Sequence, residues 1–183
     1  MKNVRRIPSE EFKTTVWSGG TTTELAIGPE GSSYAERRFA YRISSAEVEL
    51  ESSVFTRLEG VTRCLTPLCR GFSLRINGEE KELPRGEVLK FSGEDDVFCR
   101  GSGRDLNLML KGAEGNMKYV CGGFSVYDCS AAFLYCPERA AVSSAGEEET
   151  FPAGAFLRLM KGDHAVSRPA VLFLIDADPK QNI

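Results

Sequence analysis

Apolar residues in this chain recur at every second position, in run after run, and almost never at the spacing of three to four that a helix requires. That property confines the chain to β architecture. From Phe39 the alternation runs Phe39, Tyr41, Ile43, and then its parity changes to Ala46, Val48, Leu50. A strand whose inward face changes parity has to absorb an extra residue, so a β-bulge is expected near Ser44 and Ser45. Phe72, Leu74 and Ile76 alternate up to Asn77-Gly78, a dipeptide suited to the positive φ angles of a tight hairpin turn, and the return strand should begin at Glu79. Further strands are expected at residues 88–91, 97–100, 106–110, 118–121, 124–129, 133–136, 156–160 and 171–175, with glycine and proline between them. Residues 170–175 are apolar without alternation, the pattern of a strand buried on both faces. Many short strands separated by turn signals imply a sandwich or a barrel. Helix is limited to one short turn in Pro8-Ser-Glu-Glu-Phe12, with Ser9 as its N-cap.

The 183 residues are enough for one domain or two fused halves, with a substantial core. Residues 111–116, polar and glycine-rich, are the best place for a junction, which divides the chain into halves 1–112 and 113–183. Residues 143–150, rich in glutamate, read as a solvated loop. Lys and Arg number 23 against 26 Asp and Glu, a net charge of −3. That balance speaks against nucleic acid or a membrane surface as partner, both of which favour a positive excess. The basic start, Met1-Lys-Asn-Val-Arg-Arg-Ile-Pro8, has no apolar stretch behind it, so a cytoplasmic protein is expected. Six cysteines form no C-x-x-C pair and read as reduced, mostly buried thiols.

Four runs carry most of the functional information: Trp17-Ser-Gly-Gly-Thr-Thr-Thr-Glu-Leu25, Arg42-Ile-Ser-Ser-Ala-Glu-Val48, Phe55-Thr-Arg-Leu-Glu-Gly-Val-Thr-Arg-Cys-Leu65 and Asp105-Leu-Asn-Leu-Met109. Together, and in this order, they resemble the HutD/Ves family. The resemblance implies an all-β double cupin, two fused antiparallel barrels with little helix, in a family sometimes encoded beside histidine-degradation enzymes. It also implies Trp17, Glu24, Arg42, Ser44, Arg63, Asn107 and Met109 as ligand-binding residues. Two positions depart from the family's texture: Leu106 stands where phenylalanine is common, and a glycine usual before Phe55 is replaced within Ser52-Ser-Val54.

Cupins commonly hold a metal on several histidines. This chain has one histidine, His164, in the polar stretch Lys161-Gly-Asp-His-Ala165, so no metal and no cofactor is expected. In the run from Asp105, Leu106, Leu108 and Leu110 share one strand face while Asp105, Asn107 and Met109 share the other, as befits a strand beside a pocket. Trp17 serves either as an apolar plug or as a ligand platform. Arg63 shares parity with Leu65, which suggests a partly buried guanidinium. It would then be either paired with Glu24, Glu47 or Glu59 or free to hold a ligand carboxylate. Two functions stay open. The first is a metal-free protein that binds a small carboxylate, for which the resemblance suggests a histidine-degradation intermediate such as formylglutamate or urocanate. The second is a metal-independent isomerase or hydrolase with Glu24 as acid and base and Arg63 as electrostatic stabiliser. Exposed strand edges leave a homodimer open.

Overall fold

The computed structural model describes residues 1–177. Apart from a single 3-10 turn at Ser9–Glu11, every regular element among them is a strand. Among the described residues no helix is long and apolar enough to cross a membrane. The chain divides into two compact units, one formed by Phe12–Gly112 and one by Met1–Glu11 together with residues 113–177. Residues 1–11 therefore belong with the second unit rather than with the half that follows them in sequence.

The first unit contains β2 (Lys13–Trp17), β3 (Gly20–Gly28), β4 (Tyr41–Val48), β5 (Ser52–Val54), β6 (Val61–Pro67), β7 (Phe72–Ile76), β8 (Glu79–Leu83), β9 (Leu89–Ser92), β10 (Val97–Arg100) and β11 (Gly103–Lys111). They form a six-stranded sheet in the order β2-β3-β4-β11-β6-β9 and a four-stranded sheet in the order β5-β10-β7-β8, all pairs being antiparallel. Leu65, Leu89 and Phe91 of the larger sheet pack against Phe72, Leu74, Leu83, Val97 and Cys99 of the smaller, and this interdigitation holds the two together. The hairpin at Asn77-Gly78 forms as expected, with φ of 51° and 91° at its two central residues and Ile76 paired to Glu79.

The parity change in β4 has a different origin from the one its sequence suggests. The bulge lies on the partner strand: the register shifts between Glu24 and Ala26 of β3, while β4 pairs with β11 without interruption from Val48 to Tyr41. Within β4 the faces alternate without a break, so Arg42, Ser44, Ala46 and Val48 share one side, and the apolar residues change parity because polar side chains occupy the first two positions of that side.

The second unit contains β1 (Val4–Ile7), β12 (Glu114–Val126), β13 (Ala131–Cys136), β14 (Ala140–Ser144), β15 (Glu147–Phe151), β16 (Ala155–Leu159) and β17 (Gly162–Asp176). These make a seven-stranded sheet in the order β1-β16-β13-β17-β14-β15, with β12 also paired to β17. One apolar cluster draws on all seven strands, from Val4 through Leu134, Leu157 and Leu172 to Phe151, so the sheet curls to bring its inner faces together. Pro169 stands in β17 between the residues that pair with β14 and those that pair with β13. A residue without an N–H fits there because the ladder changes partner. The stretches expected at residues 118–121 and 124–129 fall on one strand, β12, which has a register shift between Val120 and Gly122 and ends at Val126, leaving 127–129 outside it. The glutamate-rich segment at 143–150 is not a loop but the β14–β15 hairpin, turning on Ala145 and Gly146 with φ of 52° and 80°. Its glutamates line up on exposed strand faces, so charge there reflects solvent and not disorder.

Candidate functional site

Four neighbouring strands of the first unit set the site by register alone. Across β3, β4, β11 and β6 one row reads Glu24, Ser44, Asn107, Leu65; the next reads Ile27, Arg42, Met109, Arg63 and continues to Phe91 of β9; a third places Thr22, Ala46 and Asp105 side by side. Cross-strand partners in antiparallel pairs project to the same side, so these residues share one face of the sheet. Toward β6 and β9 that face is filled by the apolar cluster around Leu65. Toward β3 and β4 it remains open as a cavity of about 470 Å³, whose polar lining includes Arg42, Ser44, Arg63, Asp105 and Asn107.

The two arginines flank Met109 and are treated differently by their neighbours. Nε of Arg42 donates to Glu24 Oε2 at 2.7 Å and Nη1 reaches Ser44 Oγ at 3.4 Å, while its guanidinium lies 4.0 Å from the centre of the Tyr34 ring. The bulge after Glu24 adjusts β3 so that Ile27, and not Ala26, stands opposite Arg42, leaving Glu24 diagonal to it and within reach. Arg42 is thus a closed ion pair. Arg63, 6% exposed, has no such partner at Nε. Its guanidinium instead sits 4.6 Å from the Phe55 ring centre and 5.3 Å from that of Phe91, a cation held by aromatic faces. Burial pulls its pKa down to about 10, against the opposing pull of Asp105.

Asp105 is buried in the same cavity. Burial pushes its carboxyl up to about 7, in spite of the Ala46 backbone N–H and the Arg63 charge, both of which favour the ionised form. Oδ1 of Asp105 and Oδ1 of Asn107 are buried without hydrogen-bond partners, as is Nε of Arg63. Three unpaired polar atoms around one cavity are unusual, since buried polar groups are nearly always paired.

Six of the seven residues expected from sequence line this cavity: Trp17, Arg42, Ser44, Arg63, Asn107 and Met109. Glu24 stands behind Arg42 as its partner. Trp17 is 37% exposed and covers Gly19, where a Cβ would meet its ring at 2.1 Å; it is a wall at the mouth and not a buried plug. Of the carboxylates considered for Arg63, Glu24 is taken by Arg42, and Glu47 pairs with Arg104 at 3.2 Å. Asp105, Tyr34 and Phe55 were not among the expected site residues. Asp105 had a usable signal, the same alternation that selects Asn107 and Met109. Tyr34 and Phe55 lie outside the strands, and no spacing rule reaches them.

The donor set does not suit a first-row metal. The inner face offers two guanidiniums, an amide and two carboxyls, of which Glu24 is taken by Arg42. His164 belongs to the second unit, where its Nε2 meets the Met160 carbonyl at 2.9 Å and its ring stacks on Phe124. Among the described residues no group of three or more His, Cys, Asp or Glu side chains converges as a metal site.

No curated protein matches this chain. Among solved structures, a conserved protein of unknown function from Pseudomonas aeruginosa PAO1 shares 24% identity with a TM-score of 0.77, over 95% of this chain and 99% of that one. HutD from Pseudomonas fluorescens SBW25 shares 21% identity with a TM-score of 0.79, over 96% and 99%. Ylba from E. coli is similar in fold alone, at 10% identity and a TM-score of 0.67, over 99% and 93%. The double-cupin architecture expected from sequence is thus the fold of this chain, and the family model for HutD matches residues 9–170, so the chain belongs to the HutD family.

Proposed function

We propose that the cavity of the first unit binds a small organic carboxylate without a metal, and that the protein acts through this binding. The observation that carries the reading is Arg63: a buried, aromatic-flanked guanidinium whose Nε has no partner, facing an open cavity. An unpaired buried charge is costly, and a planar carboxylate offers the paired acceptors that a guanidinium fork suits. Arg42, closed on Glu24, supplies a rigid wall and little free charge. Histidine-degradation intermediates such as formylglutamate and urocanate are the first ligands to test, in a cytoplasmic role in histidine utilisation that accords with family membership.

A second reading has its own observation. An isomerase or hydrolase needs a carboxyl that titrates near neutrality in a shielded site, and Asp105 is such a group, placed in the cavity with Arg63. Asp105 then takes the acid and base role considered for Glu24, whose carboxylate is engaged by Arg42.

A thermal-shift panel of formate, glutamate, formylglutamate and urocanate tests the binding reading. A ligand at a hundredfold excess over its dissociation constant should stabilise the native state by about 2.7 kcal/mol. Arg63→Met should abolish that shift in a protein that still folds cooperatively, because Nε of Arg63 holds no hydrogen-bonded partner that would be left behind. Stabilisation that survives in Arg63→Met would place the ligand elsewhere; turnover of a stabilising ligand would favour the enzymatic reading.

A further inference from the structure

Asp105 is the buried polar group for which simple anion binding has no use. It lies two residues along β11 from Asn107, on the same face, 4% exposed, in the cavity that also holds Arg63. Oδ1 of Asp105 and Nε of Arg63 both lack partners, so a salt bridge through those atoms is not what holds them. The other charged and titratable groups around Asp105 are accounted for. Arg42 of β4 is tied to Glu24 of β3. Burial, with a smaller contribution from the field of the aspartate, drives the Cys99 thiol of β10 up to about 12, so it stays neutral. Tyr34, from the segment between β3 and β4, packs on Arg42, and Arg104 pairs with Glu47 at the surface. The balance of charge in the cavity therefore turns on Arg63 and Asp105. With Asp105 ionised the pair is neutral and a second anion is repelled by the aspartate. With Asp105 protonated the cavity is positive and also presents an O–H donor.

We propose that Asp105 is a ligand-binding residue in its protonated form: its carboxyl O–H donates to an anion held on Arg63, so that each anion enters together with one proton. This rests on the carboxylate-binding reading above and deepens it. The proton comes from the buffer acid, whose bond to hydrogen breaks as the O–H bond on Asp105 forms, leaving the buffer's conjugate base, and no other bond changes. The arrangement selects for a planar oxyanion with two acceptor oxygens, one for the guanidinium and one for the carboxyl donor, over a halide of the same charge. Burial supports it, since it holds the free carboxyl near neutral pH, where little work is needed to add the proton.

Isothermal titration calorimetry with acetate provides the test, run at pH 8 in two buffers of different ionisation enthalpy and repeated from pH 6 to pH 8.5. The expected result is uptake of close to one proton per acetate at pH 8, with affinity falling about tenfold per pH unit above the aspartate's own pKa. Asp105→Asn retains an N–H donor and cannot titrate. It should take up no proton, and at pH 8.5 it should bind acetate about 30-fold more tightly than the parent, the factor set by 1.5 pH units above a pKa near 7. If acetate binds, and Arg63→Met abolishes binding, but no proton is taken up and affinity is flat with pH, the role of Asp105 is wrong while the carboxylate site stands. If the parent binds no acetate even at pH 6, the carboxylate reading falls and this proposal with it. Should Asp105→Asn not fold, the proton count on the parent protein decides alone.

Discussion

The interiors of the two units are built from the same kind of strand and end differently. In the second unit Leu134, Leu157, Leu172, Val142, Val166 and Phe151 meet in one apolar cluster. Its buried polar side chains are few: Ser144 donates to the Asp163 carbonyl, and His164 is held by the Met160 carbonyl and the Phe124 ring. In the first unit the corresponding inward positions of β4, β6 and β11 hold Arg42, Ser44, Arg63, Asp105 and Asn107, and a cavity of about 470 Å³ lies over them. The contrast separates two uses of a curled antiparallel sheet. Apolar side chains interlock and fill the space between faces, each contributing through burial and close contact. Charged and amide groups cannot pack against one another without partners, so the faces that carry them stay apart and remain accessible to a ligand. The first unit thus gives up stability at the place where it gains a site.

Three measurements sharpen or break this contrast. The largest effect is expected in the filled interior. Leu157, fully buried between Leu134 and the rest of the cluster, should cost about 4 kcal/mol when changed to alanine, through lost burial plus the cavity left behind. Denaturant unfolding gives the number, and a loss under about 1 kcal/mol would mean that the second interior is not packed as tightly as described here.

Next comes the closed ion pair of Arg42 with Glu24 in the hollow interior. Arg42→Met leaves the Glu24 carboxylate, 14% exposed, without its cation, and should destabilise by about 3 kcal/mol. Adding Glu24→Gln should recover most of that loss, because the uncompensated charge is removed. Equal instability of the single and double variants would show that Arg42 works through packing on Tyr34 instead.

The smallest difference between variant and parent is expected at Asp105, and it depends on pH. The folded-state pKa of Asp105, about 7, lies above its ordinary value of 3.8, so between those values the native state binds more protons than the unfolded chain. Stability from this group is therefore fully present below about pH 4 and is lost as pH rises toward 7, by at most about 4 kcal/mol. Asp105→Asn removes the titration but buries an amide with imperfect partners, which costs about 2 kcal/mol. The variant should then be about 2 kcal/mol more stable than the parent at pH 8 and less stable at pH 4. Parallel stability curves for the two proteins would mean that Asp105 ionises normally.

Much of this molecule can be read from local rules. The alternation of apolar residues marks the strands, Asn77-Gly78 marks a hairpin, and the rhythm of residues 105–110 assigns inward and outward faces, because side chains of adjacent strand residues must point apart whatever surrounds them. Four short runs sufficed to suggest the family, since they retain the polar residues of one sheet face. The bulge on β3, the hairpin at 143–150 and the grouping of residues 1–11 with the second unit were not legible, for each depends on which strand lies alongside which. The same holds for the charges. Composition supplies arginines and carboxylates in near balance, but only the register across β3, β4, β11 and β6 decides that Arg42 meets Glu24 while Arg63 meets aromatic rings. Likewise only burial decides that Asp105 titrates near neutrality. Sequence determined the residues and the faces they occupy; pairing, desolvation and the space left unfilled are properties of neighbours far apart in the chain, and the tertiary structure alone set them.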